Sequence, residues 1–146
     1  MTGYAAKILQ DIESAQPLDE AFPDVSSGLR PFGTRVLVQI RVPPRKSKGG
    51  VVLTDESRET EKWNTQIAKV IELGPVAFRN RETLDFWPEG QWCQIGAFVR
   101  VPKYGGDRWE VDYGSGDDDQ ALFVLFNDLD IIGQGTTDPR LIKAFI

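Results

Sequence analysis

The chain has 146 residues, of which 40% are hydrophobic and 27% charged, and its 17 Lys and Arg residues are outnumbered by 22 Asp and Glu residues, giving a net charge of −5. This length and composition are typical of one globular domain with a hydrophobic core. The acidic balance argues against nucleic acid as the main partner, because phosphate binding needs a basic surface. No apolar run approaches the length of a membrane span, and the first residues lack a signal-peptide layout, so we expect no membrane partner.

The side chains on which many enzymes and metal sites depend are absent or scarce. The chain has no histidine and one cysteine, Cys93, which excludes Ser-His and Cys-His pairs, His-containing zinc sites and thiolate zinc clusters. A lone cysteine also excludes an intrachain disulfide and fits a reducing compartment, where we expect it to act as a small buried hydrophobe. Because carboxylates are plentiful but form no catalytic motif, we expect no enzyme and no cofactor.

The acidic run 117–119 invites a calcium hypothesis, since three Asp residues follow Gly114, Ser115 and Gly116. A calcium loop alternates its acidic ligands with other residues and places a Glu further along the chain. Neither feature is present. The run is therefore interpreted as a solvated hairpin tip, and we expect no metal site.

Residues 1–29 form an N-terminal extension. Tyr4, Ile8, Leu9 and Ile12 fall at helical spacing, which predicts a short amphipathic helix over Tyr4–Ala15. The following residues, up to Gly28, combine prolines, acids and serines and are interpreted as a linker or strap. The alternative is a disordered tail.

The body of the chain shows short β-rich runs separated by turn residues. In the first run, Val36, Val38 and Ile40 alternate onto one face, and Leu37 lies among the polar side chains of the other. Almost no helical periodicity follows, so the pattern predicts an all-β barrel or sandwich. The predicted strands are Thr34–Val42, Gln66–Leu73, Phe98–Val101, Arg108–Tyr113 and Ala121–Phe126; a mixed segment covers 75–92, a turn covers Tyr104–Gly106, and Leu129–Ile132 closes the body.

The segment of residues 43–65, here called the arm, is far longer than an ordinary hairpin connection of about 2–5 residues. It is mostly charged and small, yet its middle carries an apolar cluster directly after two glycines. A polar arm with an apolar tip suits the gripping of another protein, and the alternative is a turn that feeds a short strand. The candidate partner-binding residues are Gly49, Gly50, Val51, Val52 and Leu53.

These features together resemble a GroES-type co-chaperonin. The segment 30–38 is similar to the opening strand of that family, and 48–54, with Gly-Gly-Val-Val-Leu, looks like its mobile loop. The segment 68–74 resembles the strand that leads into the family's roof segment, and 99–106 is similar to the segment that ends in Gly-Tyr-Gly. Residues 122–132 look like the closing strands. The likeness covers about 29–133 in the right order.

The resemblance implies a GroES-like small β-barrel with a mobile loop, at 30–133, between an N-terminal extension and a C-terminal tail at 134–146. It implies a homo-oligomeric ring, typically a heptamer, that caps a GroEL-type chaperonin and assists ATP-dependent folding in the cytoplasm. The mobile loop would contact the chaperonin, and Tyr104 becomes a candidate for the ring interior. Such a protein catalyses no covalent chemistry.

Departures from the family pattern leave a second hypothesis open. The roof segment, 75–92, carries unusual bulk in Phe86, Trp87, Pro88 and Trp92. After it, Ala97 stands where bacterial members usually have Asp. Added tails and divergence suggest a phage-encoded member. A virion protein that reuses the same barrel as a capsid decoration, with the major capsid protein as partner, is the alternative function.

Overall fold

Six antiparallel strands form one sheet in the computed structural model, which describes residues 17–42, 66–114 and 119–139. Along the sheet the strand order is β4-β5-β1-β2-β3-β6. This arrangement confirms the all-β prediction. In chain order the elements are α1 (Leu18–Ala21), β1 (Arg35–Ile40), β2 (Ile67–Leu73), β3 (Phe98–Arg100), β4 (Asp107–Asp112), β5 (Gln120–Asn127), a 3-10 turn (Asp128–Asp130) and β6 (Gly133–Gln134).

The five predicted strands are found within one or two residues of their expected bounds. The closing segment differs, because Leu129–Ile132 holds most of the 3-10 turn and β6 begins only at Gly133. Ile131 is nevertheless buried, and the Ile132 N–H donates to the Arg100 carbonyl at 2.9 Å. The predicted helix over Tyr4–Ala15 and the acidic run at 117–118 lie outside the described residues. Within the described ranges, no helix has the length and apolarity needed to cross a membrane.

The main core lies on one face of β1, the strand at the centre of the sheet. Val36, Val38 and Ile40 are buried there, as the alternation predicts, and β1 pairs with β2 on one side and β5 on the other. Strands with two neighbours satisfy their main-chain groups inside the sheet, which lets β1 be buried from Val36 to Ile40. Neighbouring strands supply further residues of this core: Ala68, Val70, Val99, Leu122, Val124 and Phe126.

The opposite face of β1 is buried as well, so the interpretation of Leu37 as one residue of a polar face was incomplete. Leu37 is fully buried in a second cluster with Ala121 and Phe123, and Gln39 is only 2% exposed. The cover comes partly from residues 17–27, here called the strap, whose Val25 packs on that cluster. The Gln39 Nε2 donates to the Pro23 carbonyl at 2.9 Å, which satisfies the buried amide.

The roof segment packs onto one end of the main core. Gly74, just before it, has no room for a side chain, because a Cβ there would meet the carbonyl of Gly33. Phe78 is fully buried with its ring 5.6 Å from that of Trp92, and Trp87 is partly buried against the same core. Phe86 stays exposed, and the Arg79 guanidinium lies 4.0 Å from its ring centroid. Much of the unusual aromatic bulk therefore fills the body.

Candidate functional site: the roots of the arm

The predicted partner-binding residues Gly49, Gly50, Val51, Val52 and Leu53 lie outside the described residues, and their role stays a prediction. The structure does describe the two residues that flank the arm, Val42 and Gln66, here called its roots. These roots decide where the arm leaves and re-enters the sheet.

The two roots lie at the same end of the β1–β2 hairpin. Ile40 is paired with Ala68, and the Arg41 N–H donates to the Ile67 carbonyl at 3.2 Å, so the ladder continues to the edge of the arm. The connection between these two antiparallel strands therefore starts and ends at the same end of the hairpin. The arm is therefore the connection of this hairpin, as its position in the sequence predicts.

The second root is fixed by its side chain as well as by its main chain. The Gln66 carbonyl accepts a hydrogen bond from the Val101 N–H at 2.8 Å, and Gln66 Nε2 donates back to the Val101 carbonyl at 3.2 Å. Arg100 Nη2 donates to Gln66 Oε1 at 3.2 Å. Three hydrogen bonds to the end of β3 and the residue after it hold Gln66 in place.

The first root is held by the strap, a contact that the sequence did not predict. The Val42 N–H donates to the carbonyl of Ala21, the last residue of α1, at 2.8 Å, and Val42 itself is buried. Ala21 and Phe22 form a small buried cluster with Ile67. Phe98 packs against this cluster, with its ring centroid 5.1 Å from that of Phe22. The only signal in the sequence was an apolar pair within a segment of acids and prolines.

The turn at Tyr104 is the second predicted site, and it lies between β3 and β4, shortly after Val101. Tyr104 is 74% exposed, with Lys103 Nζ 5.6 Å from its ring centroid. Arg108 holds the turn by donating from Nε to the Gly105 carbonyl at 2.8 Å and from Nη2 to the Lys103 carbonyl at 3.2 Å. Burial lowers the pKa of Arg108 from its ordinary value. A position facing the interior of a ring remains a prediction for Tyr104.

Within the described ranges, the titratable groups do not gather into a metal site, since no three His, Cys, Asp or Glu side chains come together there. Cys93 is a free, buried thiol in the main core, which confirms its interpretation as a small hydrophobe. Burial raises its pKa to about 11, so the thiolate needed for nucleophilic attack is disfavoured at neutral pH.

Comparison with known proteins identifies a protein family whose model matches most of the described chain. The family model described as "Chaperonin 10 Kd subunit" matches residues 28–134, a range that includes every strand of the sheet and the arm. The chain is 33% identical over 84 residues to the "Co-chaperonin GroES" of Caldicellulosiruptor saccharolyticus and, to the same extent, to that of Caldicellulosiruptor bescii, covering 58% of this chain and 79% of each relative. It is 29% identical over 104 residues to the "Co-chaperonin GroES" of Tetragenococcus halophilus, covering 71% of this chain and 95% of the relative. Residues 17–27 of the strap precede the matched range.

Proposed function

Since the chain belongs to the chaperonin 10 Kd subunit family, we propose that this co-chaperonin caps a GroEL-type chaperonin ring and assists ATP-dependent protein folding. The observation that carries the proposal is the family match over residues 28–134. Within that range, the arm connects the paired strands β1 and β2. Co-chaperonins are not an enzyme family. The work of the protein is to bind and to release.

The arm supplies the grip in this proposal. Burying one Val or Leu side chain stabilises a complex by about 1.5–3 kcal/mol. Ordering the main chain costs roughly 1–2 kcal/mol for each residue fixed. The three apolar residues Val51, Val52 and Leu53 on one arm therefore bind weakly, because the cost of ordering offsets most of the gain.

A ring of identical subunits converts weak arms into a firm but reversible attachment. Once one arm has bound, the others are held at high effective concentration near their own sites. We place seven subunits in the ring, as the family resemblance implies, with Tyr104 facing its interior. In the described part of the sheet, β4 and β6 are the outermost strands, and an outermost strand offers unpaired main-chain groups to a neighbour.

The setting of this activity is the cytoplasm, of a host cell if the chain is phage-encoded. That attribution to a phage stays a prediction. The comparisons give no support to the alternative of a virion decoration protein, since the relatives reported above carry the name of a co-chaperonin.

The proposal is tested with the full-length protein and a purified GroEL-type chaperonin. We expect a complex that forms in the presence of ATP in a pull-down, and a native mass for the free protein that corresponds to a ring. Omission of the nucleotide is the matched control. A protein that forms no complex with the chaperonin, or that is a monomer at micromolar concentration, contradicts the proposal.

A further inference from the structure

Besides the hydrogen bond from Gln39 to the Pro23 carbonyl, the strap contacts the rest of the chain at two separate places. Its first part, at Ala21 and Phe22, touches the root of the arm, whereas its second part, at Val25 and Ser27, lies on the cluster of Leu37 and Phe123. At this second place, Trp109 Nε1 donates a hydrogen bond to the Ser27 carbonyl at 2.8 Å. The first part is therefore placed to act on the arm, and the second to attach the strap to the sheet.

The contacts of Ala21 and Phe22, here called the clasp, reach the residues on both sides of the arm. Ala21 binds the main chain of Val42 directly, and Phe22 packs in one cluster with Ile67, the residue that follows the second root. The residue after Val42 is a proline, which restricts Val42 itself to extended conformations. The main chain of Val42 is therefore held by its hydrogen bond to Ala21 as well as by the restriction that the proline imposes.

We propose that Ala21 and Phe22 position the arm: the strap fixes the direction in which the chain leaves the sheet at Val42, and this raises the affinity of each arm for the chaperonin. The physical reason is preorganisation, since an arm that departs from a fixed root loses less conformational freedom on binding. This inference rests on the proposed function for its consequence, but the clasp itself can be measured without any chaperonin.

The test uses three variants of the full-length protein. Phe22→Ala removes the aromatic anchor of the clasp, and Phe22→Leu restores apolar bulk at the same position. Val25→Ala is the control, because it removes apolar contact from the second part of the strap and leaves the root untouched. For each, the readouts are amide hydrogen exchange at Val42, melting temperature, native mass, and affinity for a GroEL-type chaperonin with ATP.

We expect Phe22→Ala to accelerate exchange at Val42 and to weaken chaperonin binding by roughly tenfold or more, because a small loss in each arm is multiplied around the ring. Phe22→Leu should recover most of both, and Val25→Ala should leave exchange at Val42 unchanged and affinity within about twofold of the parent.

Three other results are informative. Unchanged exchange at Val42 in Phe22→Ala overturns the positioning role, whatever the chaperonin does. The positioning role is also overturned if Phe22→Ala and Val25→Ala both lose affinity in proportion to their fall in melting temperature. The strap would then only stabilise the fold. Accelerated exchange in Phe22→Ala, together with a parent protein that never binds a chaperonin, supports the clasp and contradicts the proposed function alone.

Discussion

The carboxylate of Asp128 accepts a hydrogen bond from the main-chain N–H of Phe78 at 2.9 Å, although the two residues are far apart in the sequence and both are buried. Phe78 has a φ of 63°, a backbone conformation that costs free energy for any residue other than glycine. The N–H of Asp128 in turn donates to the Thr34 carbonyl at 3.0 Å. One acidic residue thus joins the roof segment to the start of β1.

Replacement of Asp128 by Ala should lower the free energy of unfolding by about 1–3 kcal/mol, because the Phe78 N–H would be left buried without an acceptor. Denaturant titration followed by tryptophan fluorescence measures this change. Asp130→Ala is the matched control, since its carboxylate accepts a longer, exposed hydrogen bond of 3.3 Å from the Asn127 N–H. Equal losses in the two variants would contradict the role assigned to Asp128.

Phe123 should be among the most costly residues to truncate. It is fully buried on the face of the sheet that the strap helps to cover, and its ring stacks on Trp109 at 6.0 Å between centroids. By analogy with other buried phenylalanines, Phe123→Ala should destabilise the fold by about 3–5 kcal/mol. Thermal unfolding measures the loss. Phe86→Ala, at an exposed position, should change the melting temperature much less, and an unchanged melting temperature for Phe123→Ala would show that this face is not part of the packed structure.

The Cys93 thiol should resist modification until the pH approaches about 11, its raised pKa, because burial disfavours the thiolate. Its reaction with iodoacetamide at neutral pH should become rapid only when denaturant unfolds the chain. The same shift has a consequence for stability. The folded state keeps the proton as the pH rises from the ordinary value of 9.0 to about 11, whereas the unfolded state releases it, so stability falls across that window.

Cys93→Ser provides the control for both readouts. In that variant the part of the alkaline decline that Cys93 causes should disappear. A thiol that reacts at neutral pH as fast in the native protein as in denaturant would show that the end of the main core next to the roof segment is open to solvent.

The strands were predictable from the sequence because their signal is local. Val36, Val38 and Ile40 alternate within a few residues, and each predicted run ends at a proline, a glycine or an acidic turn. The strap gave no comparable signal, because Ala21, Phe22 and Val25 stand among acids and prolines without periodicity and their partners are far along the chain. A hydrogen bond between two main-chain groups, such as that of Val42 and Ala21, leaves no mark on residue type at all.

The candidate site could be proposed from the sequence, and its role stays a prediction, whereas the residues that hold its roots could not be foreseen. The contrast between two glycines, three apolar residues and a charged surround indicates a gripping arm without any structure. Which residues hold its roots depends on tertiary contacts, and Gln66 shows this, since its amide bridges to Val101 and Arg100 across the sheet.

The arm can be tested directly by replacing Val51, Val52 and Leu53 together with Ser. We expect the variant to fold and to keep the native mass and melting temperature of the parent, because we propose that these residues serve binding and not the core. We expect it to lose chaperonin binding, since the weakening of each arm is multiplied around the ring. A pull-down with ATP, run beside native mass spectrometry, measures both properties on the same sample.

A matched control changes the same number of residues in the arm while sparing its apolar tip. Replacing Ser57, Thr60 and Thr65 with Ala alters three uncharged positions of the same segment and should leave chaperonin binding close to that of the parent. If the Ser variant unfolds or aggregates, the three apolar residues belong to the packed body and the arm is not a free grip. If it folds and still binds the chaperonin as the parent does, another surface makes the contact. Only the loss of binding in a folded ring, with the control intact, assigns the grip to Val51, Val52 and Leu53.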